Sequence, residues 1–132
     1  MAVTDTIIDI IRAWYNGTSS LYTTSTSLST TTIITSGDMS AASITVTRSL
    51  GKNTEYSLHC VYTGSPVGTL SISGSNDNST FTELSGTNIS ISSAGNTLYN
   101  FTNQNYLYYK VLYTKTSGTG SLTVTEVIKG VL

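Results

Sequence analysis

From residue 43 onward, large apolar side chains recur at every second position in short runs separated by Gly, Asn, Ser and Asp. Residues 68–84 carry the pattern most clearly. Leu70 and Ile72 alternate with Thr69, Ser71 and Ser73; Gly74-Ser75-Asn76-Asp77-Asn78-Ser79 forms a polar turn; and Thr80 to Leu84 resume the alternation around Phe81. A period of two marks a half-buried strand, and Asn and Asp favour turns by bonding to their own main chain, so the stretch predicts one β-hairpin. Ile44, Val46, Arg48 and Leu50 share a face, as do Tyr56, Leu58, Cys60 and Tyr62, then Ile89 and Ile91. Leu98 to Phe101, the set Leu107, Tyr109, Val111 and Tyr113, and the set Leu122, Val124, Glu126 and Ile128 complete the series. Gly64-Ser65-Pro66 and Thr116 to Gly120 read as breaks between strands. About eight strands at this spacing predict an all-β fold, an antiparallel β-sandwich or jelly roll.

The first 17 residues follow another rule. Ile7, Ile10, Ile11 and Trp14 fall at i, i+3, i+4 and i+7, with Ile8 and Tyr15 widening the stripe. That is one face of an amphipathic helix, which Thr4 or Asp5 can cap and Gly17 can end. Ile is a mediocre helix former, so a strand reading of the same residues stays open. The stripe needs a partner, either its own domain or a neighbouring subunit, and on the second reading Ile7, Ile8, Ile10, Ile11, Trp14 and Tyr15 are interface residues. The chain therefore divides into residues 1–17, a helix or docking arm; residues 18–36, a Ser/Thr-rich linker with a first strand over 31–35; and residues 37–132, the sandwich.

Composition agrees with the strand reading. Ser (21) and Thr (25) fill over a third of the 132 residues, whereas charged residues are 10%. Helix surfaces need Glu, Lys, Arg and Ala, which are scarce here. A net charge of −1 without any basic cluster argues against nucleic acid as a partner. Cys60 is the single cysteine, so an internal disulfide is excluded. The first residues lack the basic and apolar regions of a secretory signal, and no run of 18 apolar residues crosses a membrane.

Candidate chemistry is sparse. His59, the single histidine, lies in the phase opposite to Leu58 and Cys60 and so faces outward, with no acid placed beside it by the sequence. Cys60 reads as a small core residue. Asn76, Asp77 and Asn78 could offer oxygens to a hard cation, but one carboxylate is few and turn formation accounts for the trio. The same loop with Tyr108 is a candidate ligand site, since aromatic rings stack on sugars and nine tyrosines are present. No catalytic residue, metal site or cofactor is expected, and the chain does not read as an enzyme.

The order of these features resembles the small structural proteins of tailed-phage virions. The likeness rests on Tyr56-Ser57-Leu58, Gly68 to Ile72, Gly74-Ser75-Asn76-Asp77, Phe81 to Leu84, Tyr108 to Val111, Ser117 to Leu122 and Lys129-Gly130, over roughly residues 43–130. It implies a non-enzymatic capsid-decoration or head–tail accessory protein located in the virion, a homo-oligomer that contacts capsid, neck or tail proteins. The Ser-Asn-Asp hairpin is also similar to that of discoidin-type sandwiches, which implies the alternative of a glycan-binding or host-adhesion module of a tail or fibre. Phe81 stands where such domains often carry Trp.

Overall fold

The computed structural model describes residues 26–131. The expected arm over residues 1–17 and the linker up to residue 25 lie outside the described residues. The remainder is all-β and antiparallel, built from β1 (Thr26–Asp38), β2 (Ser43–Ser49), β3 (Glu55–Ser75), β4 (Thr82–Glu83), β5 (Ile89–Ile91), β6 (Gly95–Phe101) and β7 (Tyr108–Val131). β1 begins at Thr26, ahead of the 31–35 expected for the first strand.

The organising feature is a single long ladder. β3 and β7 pair antiparallel from Glu55 opposite Lys129 to Ser75 opposite Tyr108. One half of this ladder carries β1 on the β7 side and β6 on the β3 side. The other half carries β2 on the β7 side, with β4 and β5 on the β3 side. The two halves fold face to face, so β3 and β7 belong to both layers of the sandwich. Seven strands are present among the described residues, two of them long enough to serve twice.

This corrects the sequence reading at two places. Gly64-Ser65-Pro66 does not end a strand, and Thr116 to Gly120 is not a flexible turn: both lie inside continuous strands and form the corner of the folded sheet. The register slips there, with Val67 opposite Ser117 but Gly68 opposite Lys115, so Thr116 is an extra residue that bends the ladder. Glycine is required at the corner for two separate reasons. Gly118 has φ 78°, and a Cβ on it would overlap the Ser65 carbonyl oxygen; a Cβ on Gly120 would overlap that of Thr63. The second strand of the expected 68–84 hairpin is also shorter than its alternation suggests. Only Thr82 and Glu83 pair with β3, opposite Gly74 and Ser73.

Alternation predicts the core correctly. Tyr56, Leu58, Cys60, Leu70, Ile72, Tyr109, Val111, Tyr113, Leu122 and Val124 are all buried between the layers. Leu107 departs from its set: it is exposed and precedes β7. The layers are tied by aromatic and polar contacts. Tyr56 of one layer stacks on Phe101 beside it (4.6 Å) and on Tyr109 of the other layer (4.7 Å), giving offset ring contacts across the interior. Tyr99 donates its hydroxyl to the Thr87 carbonyl across the same gap, at 2.7 Å.

A buried carboxylate completes the tie. Glu126, inward on β7, accepts hydrogen bonds from Arg48 Nη2 at 3.0 Å, from Arg48 Nε at 3.5 Å and from the Tyr109 hydroxyl. Burial, and secondarily the Glu126 carboxylate, raises the Tyr109 hydroxyl well above the usual phenol range. The pair is asymmetric, because the Arg48 side chain is 37% exposed and that of Glu126 only 2%. Removing Arg48 strands a buried anion, whereas neutralising Glu126 leaves a guanidinium that reaches water. Arg48→Met is therefore expected to cost about 3 kcal/mol and Glu126→Gln clearly less. Urea unfolding of both variants checks the order, and equal losses would contradict it.

Candidate functional site

The ligand loop expected from the sequence sits at the tip that joins β3 to β4, and it is largely self-satisfied. The Asp77 carboxylate accepts from the Ser75 hydroxyl (2.9 Å) and from the backbone N–H groups of Ser79 (2.8 Å) and Thr80 (2.7 Å). Ser75 Oγ in turn accepts from the N–H groups of Asp77 and Asn78, and Asn78 takes the left-handed conformation at φ 57°. Asn76 Oδ1 accepts from Leu107 N at 3.2 Å and so pins the tip to the chain entering β7. Asp77 Oδ1 is thus committed to the turn, and among the described residues no group of three or more His, Cys, Asp or Glu is arranged to hold a metal.

Next to the tip is an open groove of about 280 Å³, lined by Gly74, Ser75, Asn76, Thr80, Thr82, Leu84 and Tyr106. Tyr106 lies directly over the backbone of Gly74, where a Cβ would come within 3.1 Å of its ring. Its hydroxyl shares a 2.7 Å hydrogen bond with that of Tyr56, which fixes the ring from inside the core. The groove therefore offers a held aromatic ring, three hydroxyls and an amide within one concavity. Of the four residues the sequence singles out, the structure brings Asn76 to this groove, with Asp77 and Asn78 beyond it on the exposed tip.

Tyr108 is placed elsewhere. It opens β7 opposite Ser75 and Ser49, half-buried, and by alternation with the buried Tyr109 it lies on the outer face of the sheet. Tyr106 is the residue that sequence reasoning missed. It falls in the irregular stretch before β7, outside any period, and the only available signal was its place in a Tyr-rich run. Phe81 likewise sits outside the core, with Lys110 Nζ 4.5 Å above its ring.

The two residues weighed for nucleophilic chemistry are far from this groove in character. His59 is exposed and faces outward on β3, opposite Leu98 and Thr125. Cys60 is buried, and burial pushes its thiol up to about 12, far from a reactive thiolate. The interface residues Ile7, Ile8, Ile10, Ile11, Trp14 and Tyr15 lie outside the described residues.

The arrangement so far defines a class, an antiparallel β-sandwich with a concave groove at its tip and hydroxyl-rich faces. No family model matches the chain, and no curated protein matches it. Among solved structures it is similar to the PBSX exported protein XepA, with a TM-score of 0.58 and 14% identity, over 76% of this chain and 36% of that one. It is also similar to the SPBc2 prophage-derived protein YomS, with a TM-score of 0.53 and 12% identity, over 80% of this chain and 96% of that one. A third likeness is to the VP2 subviral particle of infectious bursal disease virus, with a TM-score of 0.51 and 12% identity, over 79% of this chain and 32% of that one. The chain thus spans about a third of XepA and of the viral protein and nearly all of YomS. At these identities what is shared is the fold, and it is one that phage-derived and viral-capsid proteins use.

The Asp77 network has a pH signature. Hydrogen bonds from the N–H groups of Thr80 and Ser79, followed by that from Ser75, hold the Asp77 carboxyl down to about 2. A depressed carboxyl supports the fold fully above its unfolded value near 3.9, and that support is lost as pH falls through about 2. The amide resonances of Ser79 and Thr80 are therefore expected to stay fixed from pH 7 to pH 4 and to move together with a midpoint near 2. A midpoint near 4 in an NMR titration would mean that the tip does not hold the carboxylate.

Proposed function

We propose that this chain is a non-enzymatic structural protein of a bacteriophage particle, a capsid-decoration or head–tail accessory protein that acts through protein–protein assembly as a homo-oligomer. The observation that carries this reading is the likeness to the prophage-derived YomS, which extends over 96% of that protein and so involves the whole fold and not an inserted module. The capsid likeness supports it from a second direction. The surface fits as well: with charged residues at only 10% of the chain, neighbouring copies can pack densely without like-charge repulsion. In this reading Ile7, Ile8, Ile10, Ile11, Trp14 and Tyr15 anchor the subunit in its assembly. The test is protein mass spectrometry of particles purified from the host that carries the gene. The chain should be present in many copies per particle, and its absence from particles while it is abundant in the lysate would overturn the assignment.

A second reading is favoured by one observation, the groove beneath Tyr106. A glycan-binding or adhesion module would set a sugar ring against that aromatic, with Thr80, Thr82 and the Asn76 amide bonding its hydroxyls. Glycan-array binding that is at least tenfold weaker for Tyr106→Ala would support this reading, and no saccharide retained by the unaltered protein would remove it.

A further inference from the structure

We propose that the outer face of the β6–β3–β7–β1 layer is a docking surface, and that its occupant is the apolar stripe of residues 4–16 from a second copy of this chain. The inference rests on the assembly reading above and names the surfaces that would meet.

The face is fixed by register. His59 lies between Leu98 on β6 and Thr125 on β7, and Thr32 on β1 extends that row. Ser57 and Val127 form the row on one side, Val61 and Thr123 the row on the other. No Asp, Glu, Lys or Arg points outward in these three rows, and the first charges are the Glu55–Lys129 pair (3.0 Å) at one end and Asp38, opposite Ser121, at the other. Among the described residues four large apolar side chains are exposed, and two of them lie in these rows, Leu98 at 66% and Val61 at 37%, while a third, Leu28 at 73%, stands beside Lys129 at the charged end. The three rows combine hydroxyls, the Asn96 and Asn100 amides and the His59 ring with Leu98, Val61 and Val127, and they share with interface cores the depletion of Asp, Glu, Lys and Arg.

Size and reach identify the occupant. Four strands about 4.8 Å apart and the five-residue span of the uncharged rows at about 3.3 Å each give roughly 320 Å². That is less than the roughly 800 Å² each partner gives to a standard interface, so two such faces meeting flat would make a weak dimer. It is ample for a three-turn helix about 20 Å long and 10 Å wide. The sequence supplies such a segment in Ile7, Ile10, Ile11 and Trp14, a stripe too short to be stable without a partner. β1 starts at Thr26 on the edge of this same layer, near the Glu55–Lys129 end, and runs inward from there. Residues 17–25 are a Ser/Thr-rich tether that spans up to about 30 Å when extended. That length suffices to carry the stripe past the end of its own layer, as an arm seated on a second copy requires. Exchange of such arms between copies builds a homo-oligomer in which each stripe covers a neighbour's face.

The single tryptophan makes the test specific, because Trp14 emission reports on the arm alone. The full chain and its Val61→Glu/Leu98→Glu variant would be followed by sedimentation equilibrium and fluorescence from about 1 to 100 μM. Both substituted side chains are exposed, and circular dichroism checks that the variant keeps the fold. The unaltered chain should associate, with Trp14 emission shifting to the blue as it does so. The variant should associate at least tenfold more weakly and keep a water-exposed emission. Three outcomes overturn the inference: a monomer at every concentration, an oligomer indifferent to the two substitutions, or a concentration-independent blue emission in a monomer, which would place the arm on its own face. A monomer that is nevertheless found in particles would sink this inference and leave the particle assignment standing, whereas an arm-exchanged oligomer absent from particles would do the reverse.

Discussion

The structure depends on the unbroken pairing of β3 with β7. A sandwich made of two independent sheets must fix two registers and one packing angle. Here a single ladder runs from Glu55–Lys129 to Ser75–Tyr108, so the register in one layer is inherited by the other through the corner. A slip of β3 by one residue would turn Leu58, Cys60, Leu70 and Ile72 to solvent together, two from each layer. The cost of such a slip is therefore shared between both layers, and specificity arises from length rather than from any single strong contact. β1, β2, β4, β5 and β6 are then edge pieces, each pairing with only one of the two long strands.

The corner is where local and global preferences diverge. Gly64, Pro66, Gly118 and Gly120 are residues that, read locally, end strands. Their pairing partners are as far apart in sequence as Ser65 and Thr119, and only that pairing decides whether they end a strand or bend it. Period-two alternation made the core legible, down to the inward phase of Glu126 and the outward phase of His59, because each strand carries that information within a few residues. The Arg48–Glu126 pair was not legible, since its members are 78 positions apart and each looks like an ordinary strand residue. The tip was legible in part. Asn76, Asp77 and Asn78 announce a turn through their chemistry, but the groove beside them depends on Tyr106, whose position comes from packing on Gly74 and a hydroxyl contact with Tyr56.

The buried polar groups and the bland surface are two sides of one composition. With so few charges, the chain can afford one in its interior only where the geometry compensates it, and Glu126 has three hydrogen bonds from Arg48 and Tyr109 in place of its water. Outside, Ser and Thr hydroxyls satisfy themselves locally, as in the 2.9 Å contact between Thr63 and Ser121 at the end of the outer face. A surface of this kind stays hydrated without strong fields. It gives little electrostatic steering and little repulsion between neighbouring surfaces.

The same reasoning separates the two exposed features that could bind something. The tip holds Asp77 Oδ1 in hydrogen bonds to its own loop, so a ligand arriving there must compete with contacts already made. Its network stabilises a shape, and that shape is what sets Asn76 and Tyr106 around the groove. The outer face of the β6–β3–β7–β1 layer differs, because Leu98 and Val61 have nothing to lose but water. Covering them is favourable by the hydrophobic effect alone, at about 25 cal/mol per Å² of apolar surface before association costs. The polar groups of this fold thus serve mainly internal order, at the tip through Asp77 and between the layers through Glu126, while Leu98 and Val61 remain exposed on the outer face.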